Sequence, residues 1–425
     1  MKQAMKNIGE VEIPKDIIED VQKKVKNIPS LKEKIELSLN RNTTEVLGII
    51  LIGAISLGAS DIHIEPEESN VKFRARIDGM LQDILEMDIE KYRGLLSRIK
   101  LLSKLKLNVS DRPQDGRFSI IIGRENIEIR TSILPAENGE SIVLRILNPK
   151  SLISLEALGL RKDLLEIFNK EIEKPNGMII VTGPTGSGKT TTLYAFLKKI
   201  NKPDVKIITL EDPIEYHLDG ISQTQVDAKK GYGFASGLRS IMRQDPDAIL
   251  VGEIRDLETA KTALQAALTG HLVFTTLHTN DAAGTIARLQ ALGEKAINIS
   301  PAINMAIAQR LVRKVCKECS KLEKATPEEI KIIKKEVTDV PQNLKIAKTK
   351  GCDQCNETGY KGRISIFEAL LVDEEIENFI LTAPSIVALR NLAIKKGMTT
   401  VRQDGFMKVI EGITTIEEVE RVTAE

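Results

Sequence analysis

The sequence predicts an α/β protein, a mostly parallel sheet layered with helices, preceded by a smaller α+β domain. Two observations carry this. Beyond residue 159 the runs "MIIVT", "KIITL", "AILV" and "LVFTT" alternate with helical stretches, the pattern of strands buried on both faces of a parallel sheet. Before that point "VKFRARIDGML" alternates apolar and polar residues and turns at Asp78-Gly79, the signature of a two-residue hairpin.

Composition narrows the class. A chain of 425 residues is long enough for two or three domains at about 150 residues each. Charged residues make up 28% but balance to a net +1, and aromatics are only 3%. That combination argues against a protein that coats nucleic acid or stacks bases, so no nucleic-acid partner is expected. The N-terminal stretch lacks the apolar core of a signal peptide, so the chain is expected in the cytoplasm. The uncharged run Val46 to Ser60 is shorter than the ~18 residues a membrane span needs. It reads as a buried helix capped by Thr43 and Thr44 and ended by Gly58.

Taken in order, residues 1–42 form a short helical extension. Ile17, Val21, Val25 and Ile28 recur at helical spacing, Pro29 stops the first helix, and Ser30 with Glu33 reads as a capping box for the second. This extension either packs on the rest or faces a partner; a lysine-rich solvated arm is the alternative. Residues 43–147 read as helix, hairpin, helix and further strands, an arginine-rich α+β domain, with "RFSIIIG", "NIEIRTSI" and "SIVLRIL" as strands. Residues 148–158 form a linker, and residues 159–425 the α/β domain.

Each predicted strand of the α/β domain is followed by a polar group: "GPTGSGKT", "EDPIEY", "GEIRD" and "LHTND". A parallel sheet gathers such groups at its carboxyl edge, where open α/β sheets bind ligands. "GPTGSGKT" (Gly183 to Thr190) lies between a strand and a helix, the setting of a phosphate-binding loop. Backbone N–H groups face the phosphates, Lys189 reaches the outer ones, and the Thr190 hydroxyl ligates magnesium. In "LEDPIEY" the carboxylates Glu211, Asp212 and Glu215 are placed to take a proton from, or orient, an attacking water. In "ILVGEIRD" a glycine, Gly252, stands where an aspartate usually ends the strand, and Glu253 reaches the magnesium shell with its longer side chain. Gly252 is expected to let the backbone approach the nucleotide. Asp256 caps the following helix, with Leu257, Ala260, Leu264 and Leu268 on one face and Gly270 at its end. His278 falls at the carboxyl edge and His271 at the opposite end of the same strand.

Cys316 and Cys319 ("CKEC") and Cys352 and Cys355 ("CDQC") are the only cysteines. Two Cys-x-x-Cys pairs fit a closed tetrahedral zinc site of the structural kind, in preference to free thiols or an iron centre. Between them Thr326, Pro327 and Glu329 mark a helix start.

Together "GASDIHIEP", "RIDG", "RPQDGR", "GPTGSGKTTTLY", "LEDPIEY", "LRSIMRQDPD", "ILVGEIRD", "ALTGHLVFTTLHTND", "AQRLVRKVCKEC" and "GMTTVRQDG" closely resemble the ATPases of type II secretion and type IV pilus assembly, the general secretion pathway protein E type. The resemblance runs from about residue 44 to the C-terminus. It implies a RecA-like P-loop motor domain, an N-terminal domain of PAS-like architecture, a Cys₄ zinc-binding module at about 313–360, and a hexameric ring. It implies ATP, Mg²⁺ and Zn²⁺ as cofactors, with ATP held by Gly183, Pro184, Thr185, Gly186, Ser187, Gly188, Lys189, Thr190 and Thr191. It assigns Glu211 as the catalytic glutamate and Glu253 to magnesium alongside Thr190. "GHLVFTTLHT" makes His271 and His278 functional candidates. By motif position Arg117 and Arg130 are the arginines expected to approach the γ-phosphate. The expected function is assembly of a pilus or pseudopilus, or secretion, through an inner-membrane platform protein. Many members carry a larger N-terminal docking domain; here the helices of residues 15–40 are expected to substitute for it, or docking lies elsewhere. The retraction ATPases are the nearest alternative, and the cysteine quartet weighs against them. A RecA-type nucleic-acid translocase is the more distant one.

Overall fold

Two seven-stranded sheets, one in each of two units, organise the chain. The computed structural model describes residues 9–123, 125–149 and 152–424. The first eight residues of the expected extension, and part of the expected linker, lie outside these.

The first unit contains β1 (Glu10–Glu12), α1 (Lys15–Lys24), α2 (Ile28–Glu36), α3 (Thr43–Ser56), β2 (Ala59–Pro66), β3 (Val71–Ile77), β4 (Met80–Met87), α4 (Ile89–Leu102), β5 (Gln114–Ile122), β6 (Glu125–Ala136) and β7 (Gly139–Leu147). Its sheet runs β1-β5-β6-β7-β2-β3-β4. The hairpin forms as expected: Val71, Phe73, Ala75 and Ile77 point into the core, and Asp78 and Gly79 take φ of 49° and 84°. Positive φ at both turn positions suits the twist of the flanking strands.

The extension is part of this core and not a solvated arm. β1 pairs in parallel with β5, Glu10 opposite Ser119. α1 buries Ile17, Ile18 and Val21, and α2 buries Leu31 and Ile35. A Cβ on Gly53 of α3 would fall inside the Leu31 side chain, so the absent side chain is the notch that seats α2. The helix boundaries differ from those expected. Pro29 lies in the first turn of α2, where a missing N–H costs nothing. Asn27 caps that helix, its Oδ1 accepting from Ser30 N at 2.9 Å, while Ser30 Oγ accepts from Asn27 N at 3.1 Å. Likewise Asn42, not Thr43 or Thr44, caps α3, accepting from Glu45 N at 2.9 Å.

The second unit contains α5 (Lys162–Ile172), β8 (Gly177–Thr182), α6 (Lys189–Ile200), β9 (Ile207–Glu211), β10 (Ser222–Gln225), α7 (Phe234–Ile241), β11 (Ala248–Val251), α8 (Leu257–Leu268), β12 (Leu272–Leu277), α9 (Ala283–Ala291), α10 (Ala296–Ile299), β13 (Ile303–Val315), β14 (Lys321–Lys324), α11 (Pro327–Glu336), β15 (Lys345–Lys348), β16 (Tyr360–Leu371), α12 (Glu374–Leu381), α13 (Ile386–Lys395), α14 (Val401–Ile410) and α15 (Ile416–Thr423). Its sheet runs β10-β9-β11-β12-β8-β13-β16. From β10 to β13 every neighbour is parallel. The four strands expected from sequence are therefore adjacent, and their polar sequels share one edge. Met178 and Ile180 of β8 enter one core and Ile179 and Val181 the other, as burial on both faces requires. Leu155 and Leu158 from the expected linker are buried in the second of these cores.

Asp256 caps α8 as expected, accepting from Thr259 N at 2.8 Å. Ala260 and Leu264 are buried there, whereas Leu257 and Leu268 at the helix ends are exposed. α11 begins at the Thr326 capping box.

Candidate active site

The loop from Gly183 to Gly188 turns β8 into α6. Gly183, Gly186 and Gly188 all have positive φ. At Gly183 the requirement is doubly strict: φ is +145°, and a Cβ would lie 2.5 Å from Gln309 O and 2.8 Å from Ser187 Oγ. The loop therefore has its backbone turned as an anion cradle needs. Lys189 Nζ donates to the carbonyls of Gly183 at 2.7 Å and Pro184 at 3.1 Å. Burial lowers the Lys189 pKa from its ordinary value, the Glu253 charge opposes this, and the Arg310 charge adds to it. Ser187 is buried, and its Oγ has no hydrogen-bond partner among the described residues.

β11 brings Glu253 to the same edge. Its carboxylate pairs with Arg255 Nη2 and lies 3.6 Å from His278 Nε2. Arg255 is thus paired, and its pKa is raised chiefly by the hydrogen bond to Glu253. Gly252 packs against the neighbouring strand. Its N–H donates to Leu210 O at 2.8 Å, and a Cβ would lie 3.3 Å from that oxygen and 3.4 Å from Glu211 Cα. The residue that it spares is the end of the neighbouring strand β9.

Glu211 ends β9 and is buried. Tyr194 OH donates to its Oε2, Thr209 Oγ1 donates to Oε1 at 2.6 Å, and Gln223 Nε2 donates to Oε1 at 3.3 Å.

The turn after β12 is held from several sides. Thr279 N donates to Thr182 Oγ1 at 2.7 Å, Arg310 Nη2 donates to Asn280 O at 2.9 Å, and Ala282 N donates to Glu368 Oε1 at 2.9 Å. Arg390 pairs with Asp281. His278 is positioned by this turn. His271 is not part of it: it precedes β12 at the opposite end, with Nδ1 3.1 Å from Ala266 O. The strand that carries both histidines separates them by its full length, so within the chain only His278 joins Glu253.

Arg117 and Arg130 lie in the first unit, opposite one another on β5 and β6. Both face Glu128, at 3.7 Å and 3.6 Å.

The four cysteines converge. Their sulfurs all lie within 4.8 Å of one another, with Sγ···Sγ distances of 3.9, 3.9 and 3.7 Å for Cys316–Cys352, Cys319–Cys355 and Cys352–Cys355. Zn–S bonds of about 2.3 Å in a tetrahedron place sulfurs about 3.8 Å apart. The N–H groups of Cys352 and Gly359 point at Cys355 Sγ at 3.2 and 3.3 Å, an arrangement that favours a thiolate. The donor set fits zinc.

Several contributors lie within the motifs but carry no role that the motif chemistry assigns. Tyr194 ends "GPTGSGKTTTLY" within an amphipathic helix, and Gln309 and Arg310 lie at the start of "AQRLVRKVCKEC". Their signal is proximity: β13 lies beside β8, so its polar residues abut the phosphate loop.

The pattern of the family described as Type II/IV secretion system protein matches residues 40–421. The chain is 42% identical over 402 residues to the type II secretion system protein E of Pectobacterium carotovorum subsp. carotovorum, spanning 94% of this chain and 80% of that protein. It is 45% identical over 368 residues to the type IV pilus assembly ATPase PilB of Thermus thermophilus, spanning 86% of this chain and 41% of that one. Among solved structures it resembles the pilus retraction motor PilT with bound ADP, at 28% identity and a TM-score of 0.59, covering 88% of this chain and 96% of that one.

Proposed function

The chain belongs to the type II/IV secretion system protein family, and on that premise we propose that it is the motor that drives assembly of a type IV pilus or a type II secretion pseudopilus. It is an ATP-hydrolysing enzyme. The observation that carries the site is the convergence of Lys189, Glu253 and His278 from three adjacent strand ends of one sheet.

In this reading the backbone of Gly183 to Thr191 and Lys189 hold the phosphates. Thr190 and Glu253 would hold magnesium, which when bound would neutralise charge on the phosphates. Glu211 orients the attacking water and accepts its proton as the water oxygen bonds to the γ-phosphorus and ADP leaves. His278, beside Glu253, follows the presence of the γ-phosphate. Arg117 and Arg130 supply positive charge to the transferred phosphoryl group in a hexamer. Loss of the γ-phosphate on hydrolysis is the event that the motor converts into motion. The cysteine quartet would hold a structural zinc. Among the described residues no helix is long and apolar enough to cross a membrane. In this reading the partner that receives the motion is an inner-membrane platform protein.

The likeness to PilT supports a second reading, in which the motor disassembles pili. Identity favours assembly, at 45% to the assembly ATPase against 28% to the retraction motor. The site is tested by Lys189→Ala and Glu253→Gln in the full chain under ring-forming conditions. Each is expected to lower kcat by about 100-fold or more, as loss of a group that stabilises transition-state charge does; turnover at the wild-type rate in either removes that residue from the site.

A further inference from the structure

The Glu211 carboxylate has four acceptor positions, two on each oxygen. Three are taken: Oε1 by Thr209 and Gln223, and one position on Oε2 by Tyr194. The single position left is on Oε2, the oxygen that Tyr194 touches. A water held by Glu211 must take that position.

Tyr194 reaches this oxygen from the helix that the phosphate loop opens. It lies one turn beyond Thr190 on α6, and residues four apart share a helix face. The side that carries the hydroxyl of Thr190, the proposed magnesium ligand, therefore also carries the phenol toward Glu211. Tyr194 is 1% exposed, and its ring packs edge-on against Tyr216, centroids 6.3 Å apart. Burial, then the charge of Glu211, raise its pKa, so the phenol stays a proton donor. Gln223 is fixed in turn, accepting from Leu218 N at 2.8 Å and donating to Tyr216 O at 3.0 Å.

We propose that Tyr194 is a positioning residue for ATP hydrolysis: its hydroxyl aims the free lone pair of Glu211 at the attacking water and locks that carboxylate to the phosphate-loop helix. The inference rests on the reading of Glu211 as the water-orienting group. It adds a mechanical link, because a shift of α6 on nucleotide binding is transmitted to the carboxylate through one hydrogen bond. Thr209, two residues before Glu211 on the same strand, offers no such link to the loop.

The test compares Tyr194→Phe, Thr209→Val, Glu211→Gln and the double variant Tyr194→Phe/Glu211→Gln as full chains. Nucleotide affinity, KM, kcat and melting temperature are measured for each. Tyr194→Phe keeps the ring and its packing. It is expected to lower kcat about 10- to 100-fold, in the range that positioning a catalytic group supplies, with KM and nucleotide affinity within about twofold. Thr209→Val is expected to lower kcat less, because Gln223 still holds Oε1. The double variant should be no slower than Glu211→Gln, since groups that act as a unit are not additive. A kcat for Tyr194→Phe within twofold of wild type, with Glu211→Gln inactive, overturns the proposal alone. So does a kcat loss that is matched in nucleotide affinity or adds to that of Glu211→Gln. Wild-type turnover in Glu211→Gln overturns the reading of Glu211, and the proposal with it.

Discussion

Gly183 shows how narrowly one position of the phosphate loop is fixed. Its φ of +145° is outside what L side chains readily adopt, and a Cβ would press on both Gln309 O and Ser187 Oγ. Backbone strain of this kind costs about 1–3 kcal/mol, and here it would fall on the loop proposed to hold the phosphates. Gly183→Ala is expected to weaken ATP binding at least about tenfold, equivalent to about 1.4 kcal/mol, in a fluorescent-nucleotide titration. Gly252→Ala is the control. Its φ is not positive, and its Cβ would approach nothing closer than 3.3 Å, so its affinity should change less. The same contrast separates what motifs convey from what they omit. The glycines of "GPTGSGKT" were legible because a phosphate loop dictates their conformation locally. The close approach of Gly252 to Leu210 O and Glu211 Cα was not, because it depends on which strand lies alongside.

Among the elements, β13 and α15 are joined by a buried carboxylate. Glu418 accepts from Arg313 N at 2.9 Å, from Arg313 Nη2 at 2.8 Å and from Arg421 Nε at 2.8 Å. Burial alone would raise its pKa, but the hydrogen bonds from Arg421 and Arg313 outweigh burial and hold it below the ordinary 4.5. A depressed carboxyl pKa means that the native state binds fewer protons than the unfolded one near that pH. Its stabilisation is therefore complete above about pH 4.5 and is lost as pH falls through the native value. Glu418→Gln is expected to destabilise the protein by about 3 kcal/mol at neutral pH. In denaturant unfolding the gap from wild type should shrink on acidification below pH 4.5. These elements were also the least legible. β8, β9, β11 and β12 stood out because strands buried on both faces are continuous apolar runs. β13 carries Gln309, Arg310 and Arg313 among its apolar residues, and β1 is three residues long, so neither breaks from its surroundings in sequence.

For the whole molecule the cysteine quartet joins distant parts of the chain. Cys316–Cys319 and Lys350–Lys361 belong with the first unit, while the residues between them belong with the second. Four thiolates gathered within 4.8 Å repel one another unless a cation or protons neutralise them, so metal binding is coupled to local folding. Purified protein is expected to contain about one zinc per chain, the stoichiometry of a closed four-thiolate site. Its removal by a chelator should open the segments 316–319 and 350–361 to a protease while cleavage elsewhere is unchanged. Absence of zinc would rule out the zinc site, and an unchanged digestion pattern after its removal would rule out the coupling to local folding. The motif spacing made the ligand set legible, but not which unit the cysteines join, since that is decided by packing.

One consequence concerns the packing at the start of the chain. α3 is uncharged from Val46 to Ser56 and buried from Val46 through Ala54, and part of its cover is α2, seated by Leu31 at the Gly53 notch. Stripping α1 and α2 away would expose part of this oily surface to water, and exposed apolar patches favour association. The lysine-rich helices that look like a solvent-facing arm therefore act as a built-in surfactant: apolar on the side that covers α3, charged on the side that meets water.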